Sequence, residues 1–253
     1  MSDSLTMIRR NLLHLSRYPT LPLSLIGTPL VFLLLFVYVF GATLGNGLGG
    51  AGGRAGYLEY VIPGILMMTA AGAAQTTAIS VAMDMTEGII ARFRTMAIKR
   101  ASVLTGHVVG STLQTVAAML VVLGVALLLG FRPTAGPLDW LALAGLLLLV
   151  TLAMIWLSVA LGLTAQSVEV ASNLPMPLIL LPFLGSGFVP TGTLPVGLRW
   201  FAEYQPFTPI IETVRGLLLG TPIGSSAWQA VAWCVAIAAG GYWWARSLYT
   251  RNR

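Results

Sequence analysis

Apolar residues in this chain fall into six long runs, separated by short polar, glycine-rich or charged segments. The runs cover about residues 21–44, 57–82, 104–130, 140–165, 172–190 and 226–246. A helix needs roughly 20 apolar residues to cross the hydrocarbon layer of a bilayer. The pattern therefore predicts an all-α integral membrane protein, in which residues 1–253 form a single domain with six transmembrane helices.

The first run is preceded by a segment with its own amphipathic pattern. Over residues 1–20, the apolar side chains that share one helical face are Leu5, Ile8, Leu12 and Leu15. Prolines at 19 and 22 would stop this helix. We expect it to lie flat in the membrane interface. The run that follows is too long for a signal peptide, so we expect no cleavage.

Prolines interrupt the fifth run. Residues 173–195 read "NLPMPLILLPFLGSGFVPTGTLP" and contain five of them. Proline removes a backbone donor and clashes with the preceding helical turn. We predict a kinked or broken span, whose freed backbone groups need protein partners or water.

A re-entrant segment, 194–220, is predicted between the fifth and sixth runs. Its aromatic residues suit the outer membrane interface and are Trp200, Phe201, Tyr204 and Phe207. Thr208 as N-cap, Pro209 at the first helical position and Gly220 as the stop predict a short outer-leaflet helix over 209–219.

Composition supports the membrane assignment. Hydrophobic residues make up 57% of the chain and charged residues only 9%, whereas soluble domains carry about 25% charged residues. The net charge of +6 does not indicate nucleic-acid binding, because the basic residues lie in the short segments between apolar runs. That distribution instead orients a membrane protein.

The basic residues divide unequally between the two sides that six spans would create. The side of both termini holds Arg9, Arg10, Arg17, Arg92, Arg94, Lys99, Arg100, Arg246, Arg251 and Arg253. The opposite side holds Arg54, Arg132, Arg199 and Arg215. The positive-inside rule therefore places both termini in the cytoplasm.

Charge is concentrated at 84–100, between the second and third runs. At 100° per residue one face is apolar, formed by Met85, Ile89, Ile90, Phe93, Met96 and Ala97. The acids come first and the bases last, as the helix dipole favours. We predict an amphipathic cytoplasmic helix with a charged outer face that includes Asp84 and Glu87. It rests on anionic headgroups or docks a partner, and the two acids favour docking.

The chain lacks the residues of several energy-coupling chemistries. His14, His107 and Cys234 are isolated in sequence, so no metal site is predicted. Lys99 is the only lysine and no G-x-x-x-x-G precedes it, so there is no P-loop. No acid lies in the middle of a run, unlike in proton-coupled transporters. Energy for uphill transport would have to come from another subunit.

Small and hydroxyl residues form stripes on three of the predicted spans. They are Thr69, Ala73, Thr76, Thr77 and Ser80; His107, Ser111, Gln114, Thr115 and Ala118; and Thr151, Ser158, Gly162, Ala165 and Glu169. Such residues let membrane helices pack closely, and they can also line a substrate path. The substrate-path hypothesis selects Met67, Thr69, Thr76, Ser80, Phe183 and Phe188.

Two segments carry a family resemblance. "DMTEGIIARFRTMAIKRASVLTGHVVG" resembles the cytoplasmic segment after the second span of type-2 ABC exporter permeases, closest to the daunorubicin-resistance branch. There an acid–glycine pair precedes "RFR" and a Leu-x-Gly entry to the third span. "FVPTGTLPVGLRWFAEYQPFTPIIETVRGLLLG" resembles that branch's segment between the fifth and sixth spans, with "QP-x-TP" and an "R-x-L-x-x-G" ending.

The resemblance implies a six-helix domain that dimerises, as a homodimer or heterodimer, in the bacterial cytoplasmic membrane. It implies two separate P-loop ATPase subunits, which bind ATP and magnesium, while this chain holds no cofactor and is not itself an enzyme. The helix at 84–100 would be the coupling helix. Its ATPase contacts would be Glu87, Gly88, Arg92, Phe93 and Arg94. The family often has proline where this chain has Ala97, which leaves contacts beyond that position less defined.

We therefore expect the permease subunit of an ATP-driven exporter of hydrophobic or amphiphilic compounds, drug-like or lipid-like. Export of polysaccharide, lipid-linked glycan or peptide is the alternative within the same class. A membrane scaffold or sensor that binds a partner without transport is the alternative from another class. A secondary transporter is disfavoured by the lack of acids within the spans.

Overall fold

The computed structural model describes residues 20–47, 53–86 and 100–251. Regular structure in these ranges is helical, with no strand among them. The proposed interfacial helix at 1–20 and most of the proposed coupling helix lie outside the described residues, so both stay predictions.

Helices follow one another along the described chain with short connections. The first five are α1 (Thr20–Leu35), which continues through a π-helical turn (Phe36–Phe40) into α2 (Gly41–Gly47), α3 (Gly53–Thr86), α4 (Arg100–Leu128) and α5 (Pro137–Thr164). The rest are α6 (Val168–Asn173), α7 (Met176–Leu180), α8 (Val196–Tyr204), α9 (Phe207–Leu219) and α10 (Ser226–Arg251).

Helices in the described ranges are long and apolar enough to cross a membrane at four places. These spans are Leu23–Asn46, Gly53–Thr86, Gly106–Leu128 and Pro137–Thr164. They match the first four predicted runs to within a few residues at each end. Helix α10 covers the sixth run and has 26 residues, but it is less apolar than these four. The six-span topology thus stays a prediction for the last two runs.

The fifth run does not form one continuous helix. Helices α6 and α7 cover its first part, and turns replace the helix after Leu180. Pro175 and Pro177 lie at the start of α7, where their missing donors are harmless. Pro182 falls where a continuing helix would need its N–H. The break predicted from the prolines is confirmed.

Helix α3 lies at the centre of the bundle. Most side chains between Tyr57 and Ala82 are buried, and α3 contacts α1, α4, α5 and α9. An apolar helix buried nearly all round is typical of the core of a membrane bundle. Cys234 of α10 is also fully buried in the main core.

Close packing of α3 on α5 involves the small residues of the fourth-run stripe. A methyl group on Gly162 would lie 2.8 Å from the Ala78 carbonyl oxygen and 2.9 Å from Val81 Cβ. The Ser158 hydroxyl donates a hydrogen bond to the Ala74 carbonyl. These two stripe residues serve helix packing, as small and hydroxyl residues do in membranes.

Two expectations for the 194–220 segment are wrong in detail. Phe207 is fully buried in the core, so its ring is not exposed to a membrane interface. Thr208 is not an N-cap, because α9 begins at Phe207 and the Thr208 hydroxyl donates to the Ala202 carbonyl. The reason is that only Gln205 and Pro206 separate α8 from α9, so α9 begins directly after Pro206, two residues earlier than expected. The stop at Gly220 is confirmed by its left-handed φ of +65°.

Helix α10 packs along α5 with one glycine at the closest approach. A methyl group on Gly241 would lie 2.6 Å from the Leu157 nitrogen and 2.8 Å from the Trp156 carbonyl carbon. At the neighbouring Gly240 no atom lies within 4 Å of such a methyl group. Substitutions at the two adjacent glycines therefore distinguish the effect of helix packing from the effect of helix propensity.

We predict that Gly241→Ala lowers stability by about 1–3 kcal/mol, because the methyl group forces α10 away from α5. Gly240→Ala should be neutral or stabilising by up to about 1 kcal/mol, since alanine favours a helix. Thermal unfolding of both variants in the same detergent measures the difference. Equal melting temperatures would contradict this packing of α10.

Candidate functional site

Residues 181–190, hereafter the 181–190 segment, take the place of the helix that the fifth run would otherwise have continued. Several of their carbonyl groups therefore lack helical donors. At membrane depth an unsatisfied backbone group is costly, so such groups must be satisfied within the protein. The donors of these hydrogen bonds identify the residues on which the segment depends.

Three side chains from other parts of the chain donate to carbonyls of this segment. Gln205 Nε2 donates to the Leu181 carbonyl at 3.0 Å. Arg215 Nη2 donates to the Ser186 carbonyl at 2.7 Å. The Tyr57 hydroxyl donates to the Phe188 carbonyl at 3.1 Å. The expectation that the freed backbone groups find protein partners is confirmed for these three.

Glycines let the segment lie directly against α3. A methyl group on Gly64 would lie 2.5 Å from the Gly187 carbonyl oxygen, and one on Gly187 would lie 3.2 Å from Gly64 Cα. On the other side, a methyl group on Gly185 would collide with the Gln205 amide. Only glycine allows this approach of one backbone to another.

Arg215 links α9, α3 and the segment. Its side chain is 10% exposed. Nη1 donates to Glu212 Oε1 at 2.7 Å, and Nη2 donates to the Tyr60 carbonyl at 3.2 Å as well as to Ser186. The guanidinium carbon lies 3.9 Å from the centre of the Tyr60 ring, a cation–π contact.

Sequence reasoning did not identify Arg215 or Gln205 as site residues. Arg215 appears there among the basic residues of the outer side and, like Gln205, within a motif of the family resemblance, without a structural role. A signal was present, because an arginine within the apolar sequence "IIETVRGLLL" has an acid three residues earlier on the same helix face.

Phe183 and Phe188, two residues of the substrate-path hypothesis, stack on each other. Their ring centres are 4.3 Å apart with an angle of 6° between the planes. Phe36, in the π-helical turn after α1, lies 4.7 Å from Phe188, and Phe32 lies 5.7 Å from Phe183. The segment is thus joined to α1 by an aromatic cluster, defined as Phe32, Phe36, Phe183 and Phe188.

The other path residues lie on α3, away from this cluster. Met67 and Thr69 are fully buried, and the Thr69 hydroxyl bonds to the Ile65 carbonyl of its own helix. Thr76 and Ser80 are only partly buried, and their hydroxyls also bond to carbonyls of α3. The structure therefore brings the six residues to two places and does not assemble them into one site.

Thr76 lines a small cavity between α1 and α3, hereafter the α1–α3 groove. Its volume is about 80 Å³. Its lining side chains come from α1, α3 and α7 and belong to Ser24, Leu25, Thr28, Pro29, Met68, Gly72, Gln75, Thr76 and Ile179. Gln75 Nε2 also donates to the Ser172 carbonyl of α6 at 2.8 Å. Within the described chain this lining is uncharged and mostly apolar, with a few hydroxyl and amide groups, so it suits an apolar group that carries a neutral hydrogen-bonding function.

Asp84 and His107 form a buried pair at the opposite end of α3 from Gly64. Asp84 Oδ2 lies 3.0 Å from His107 Nε2, and the two residues are 5% and 7% exposed. The prediction that Asp84 lies on a charged outer face is wrong, because α3 continues through Thr86 and turns Asp84 toward α4. The pair joins the two helices that flank residues 87–99.

The predicted ATPase contacts lie outside the described residues. They are Glu87, Gly88, Arg92, Phe93 and Arg94. Among the described residues there is no group of three or more His, Cys, Asp or Glu side chains that could hold a metal ion.

We predict that Tyr57→Phe lowers stability by about 1–3 kcal/mol, because the buried Phe188 carbonyl loses its donor. Tyr38→Phe is the control, since Tyr38 is 54% exposed and its ring can still stack on Arg54. Chemical or thermal unfolding in lipid nanodiscs measures both. If both variants unfold like the wild type, the Phe188 carbonyl does not depend on Tyr57.

Comparison with known proteins agrees with this architecture. Residues 3–219 match the family model described as "ABC-2 type transporter". The chain is 28% identical over 222 residues to the daunorubicin resistance ABC transporter permease protein DrrB1 of Streptomyces coeruleorubidus, a match covering 87% of this chain and 76% of that protein. It is 29% identical over 245 residues to a probable doxorubicin resistance ABC transporter permease protein, DrrC, of Mycobacterium tuberculosis, covering 92% and 83%. The chain belongs to the ABC-2 type transporter family.

Proposed function

We propose that this chain is the transmembrane permease subunit of an ATP-driven exporter that moves hydrophobic or amphiphilic compounds out of the cytoplasm. The observation that carries the proposal is the family match over residues 3–219, which includes both the 84–100 region and the 181–190 segment. Relatives whose names refer to daunorubicin and doxorubicin resistance support a drug-like or lipid-like substrate.

The ATPase is a separate subunit in this family, so the chain itself is the transport subunit and not the catalytic one. We propose two P-loop ATPase copies, which bind ATP and magnesium, and a second permease copy. The complex would lie in the bacterial plasma membrane with both permease termini in the cytoplasm. The ten basic residues on the side of the termini support this orientation.

Residues 84–100 would transmit the motion of the ATPase to the permease. In this proposal Glu87, Gly88, Arg92, Phe93 and Arg94 contact the ATPase. The Asp84–His107 pair supports the idea, because it ties the end of α3 to the start of α4. A displacement of the helix between them would then move both helices together. Such a displacement favours one state only if the ATPase contacts the two states differently.

The substrate path would lead from the α1–α3 groove to the aromatic cluster. In the proposed orientation the groove lies in the cytoplasmic half and the cluster near the outer end. Gln75 and Thr76 would bind a neutral polar group of the substrate, while Met68 and Ile179 would contact its apolar part. Met side chains adapt to varied apolar shapes, which fits a range of amphiphiles.

The partner is tested by co-purification. The tagged chain, solubilised gently from its host, should retain a P-loop ATPase identified by mass spectrometry. Glu87→Arg should reduce the retained ATPase at least about tenfold, a loss of roughly 1.4 kcal/mol in affinity. Glu203→Arg is the matched control, since Glu203 lies on α8, outside the 84–100 region, and forms an ion pair with the exposed Arg199.

Retention of no ATPase by the wild type under several detergents would favour a scaffold or sensor without transport. Equal retention by wild type and Glu87→Arg would leave the exporter proposal intact and show that Glu87 is not a decisive contact. The two results therefore separate the proposed partner from the proposed contact.

The path is tested by efflux of doxorubicin from cells that express the chain with its ATPase. Thr76→Val should raise the KM for efflux about 3- to 10-fold, the worth of one or two hydrogen bonds. Thr112→Val is the control, because the Thr112 hydroxyl also bonds within its own helix but lies on α4, outside the groove. Identical KM values for the two variants would exclude Thr76 from the path.

A further inference from the structure

We propose that Arg215 is a positioning residue that holds the 181–190 segment against α3, and that the outer end of the path opens only when Arg215 releases the Ser186 carbonyl. The word "outer" and the link to transport rest on the proposed function. The holding role itself rests on contacts within the chain.

A single nitrogen makes the connection. Nη2 of Arg215 donates both to the Ser186 carbonyl at 2.7 Å and to the Tyr60 carbonyl at 3.2 Å. The first acceptor belongs to the segment and the second to α3. One guanidinium group carried by α9 therefore bridges the segment and α3, in addition to the direct bond from the Tyr57 hydroxyl of α3 to the Phe188 carbonyl.

The buried position of this cation calls for an explanation beyond packing. Arg215 is 9% exposed, and removing a guanidinium from water is costly unless its donors are used. An apolar residue would fill the same place in α9 without that cost. What the arginine adds is a planar fork that can bridge two backbone carbonyls and stack on the Tyr60 ring at the same time.

Release of the bridge would not leave the cation alone. Glu212 lies three residues earlier on α9 and holds Nη1 at 2.7 Å, so it moves with Arg215 when the helix moves. The Glu212 side chain is 40% exposed, which keeps the pair close to water. In addition, Arg215 Nε has no hydrogen-bond partner among the described residues. Because the ion pair uses Nη1 and the two carbonyl bonds use Nη2, the bonds to the segment and α3 can break while the ion pair with Glu212 stays intact.

The segment is suited to movement because side chains rather than a helical ladder hold the carbonyls of Ser186 and Phe188. Each such bond can break without unwinding a helix. Loss of the Ser186 bond, followed by loss of the single Tyr57–Phe188 bond, would allow the stacked Phe183 and Phe188 rings to leave Phe36. The aromatic cluster would then open where the path ends.

A cysteine reporter at position 186 tests the proposal. Ser186 is 2% exposed, and its hydroxyl has no hydrogen-bond partner among the described residues, so Ser186→Cys should disturb little. Cys234→Ala removes the chain's only native cysteine. The rate of reaction with a bulky polar maleimide is measured on the whole chain in lipid nanodiscs, where the reagent reaches both faces. Val196→Cys, at an 88% exposed position, calibrates reagent reactivity.

Arg215→Gln should speed labelling at position 186 at least about tenfold, equivalent to about 1.4 kcal/mol in the opening equilibrium. Arg215→Lys should give an intermediate rate, because an ammonium lacks the planar fork. Glu212→Gln leaves the bridge in place and should change the rate less than about twofold. Arg199→Gln, an equal loss of charge at an exposed residue, should label like the wild type.

Equal labelling rates at position 186 with arginine and glutamine at 215 would overturn the proposal. If Arg215→Gln does not elute as a folded protein in gel filtration, Arg215→Lys decides: faster labelling supports the proposal and an unchanged rate overturns it. The assay needs neither substrate nor ATPase. A failure of the transport or co-purification experiments would therefore be distinguishable from a failure of this one.

Discussion

Hydrogen bonding to the carbonyls of the broken fifth run is the constraint on which the rest of this structure depends. A bilayer offers no water to a backbone group that leaves a helix, so the break after Leu180 requires donors from elsewhere. Gln205, Arg215 and Tyr57 supply them. The positions of α8, α9 and the start of α3 follow from this requirement, because these elements carry the donors.

Helix α3 connects the two ends of the bundle. Helix α3 has 34 residues and is therefore about 50 Å long. At one end it contacts the 181–190 segment through Tyr57 and Gly64, and at the other it pairs with α4 through Asp84. In the proposed exporter it would carry a displacement at the ATPase side to the segment.

The sequence predicted what depends on local pattern. Runs of apolar residues located α1 to α5 to within a few residues, and the prolines located the break. It did not predict the donors, because the Tyr57–Phe188 and Arg215–Ser186 bonds join residues 131 and 29 positions apart. Asp84 was misplaced for a related reason. A charge pattern does not show where one helix ends and the next begins, and Asp84 still belongs to α3.

The most direct test is a cryo-EM structure of the chain in lipid, together with the ATPase that co-purifies with it. The account predicts a helix that ends near Leu180 and density joining the Arg215 side chain to the Ser186 carbonyl in at least one state. An unbroken helix through residues 168–190 in every state, with Arg215 facing solvent, would contradict it.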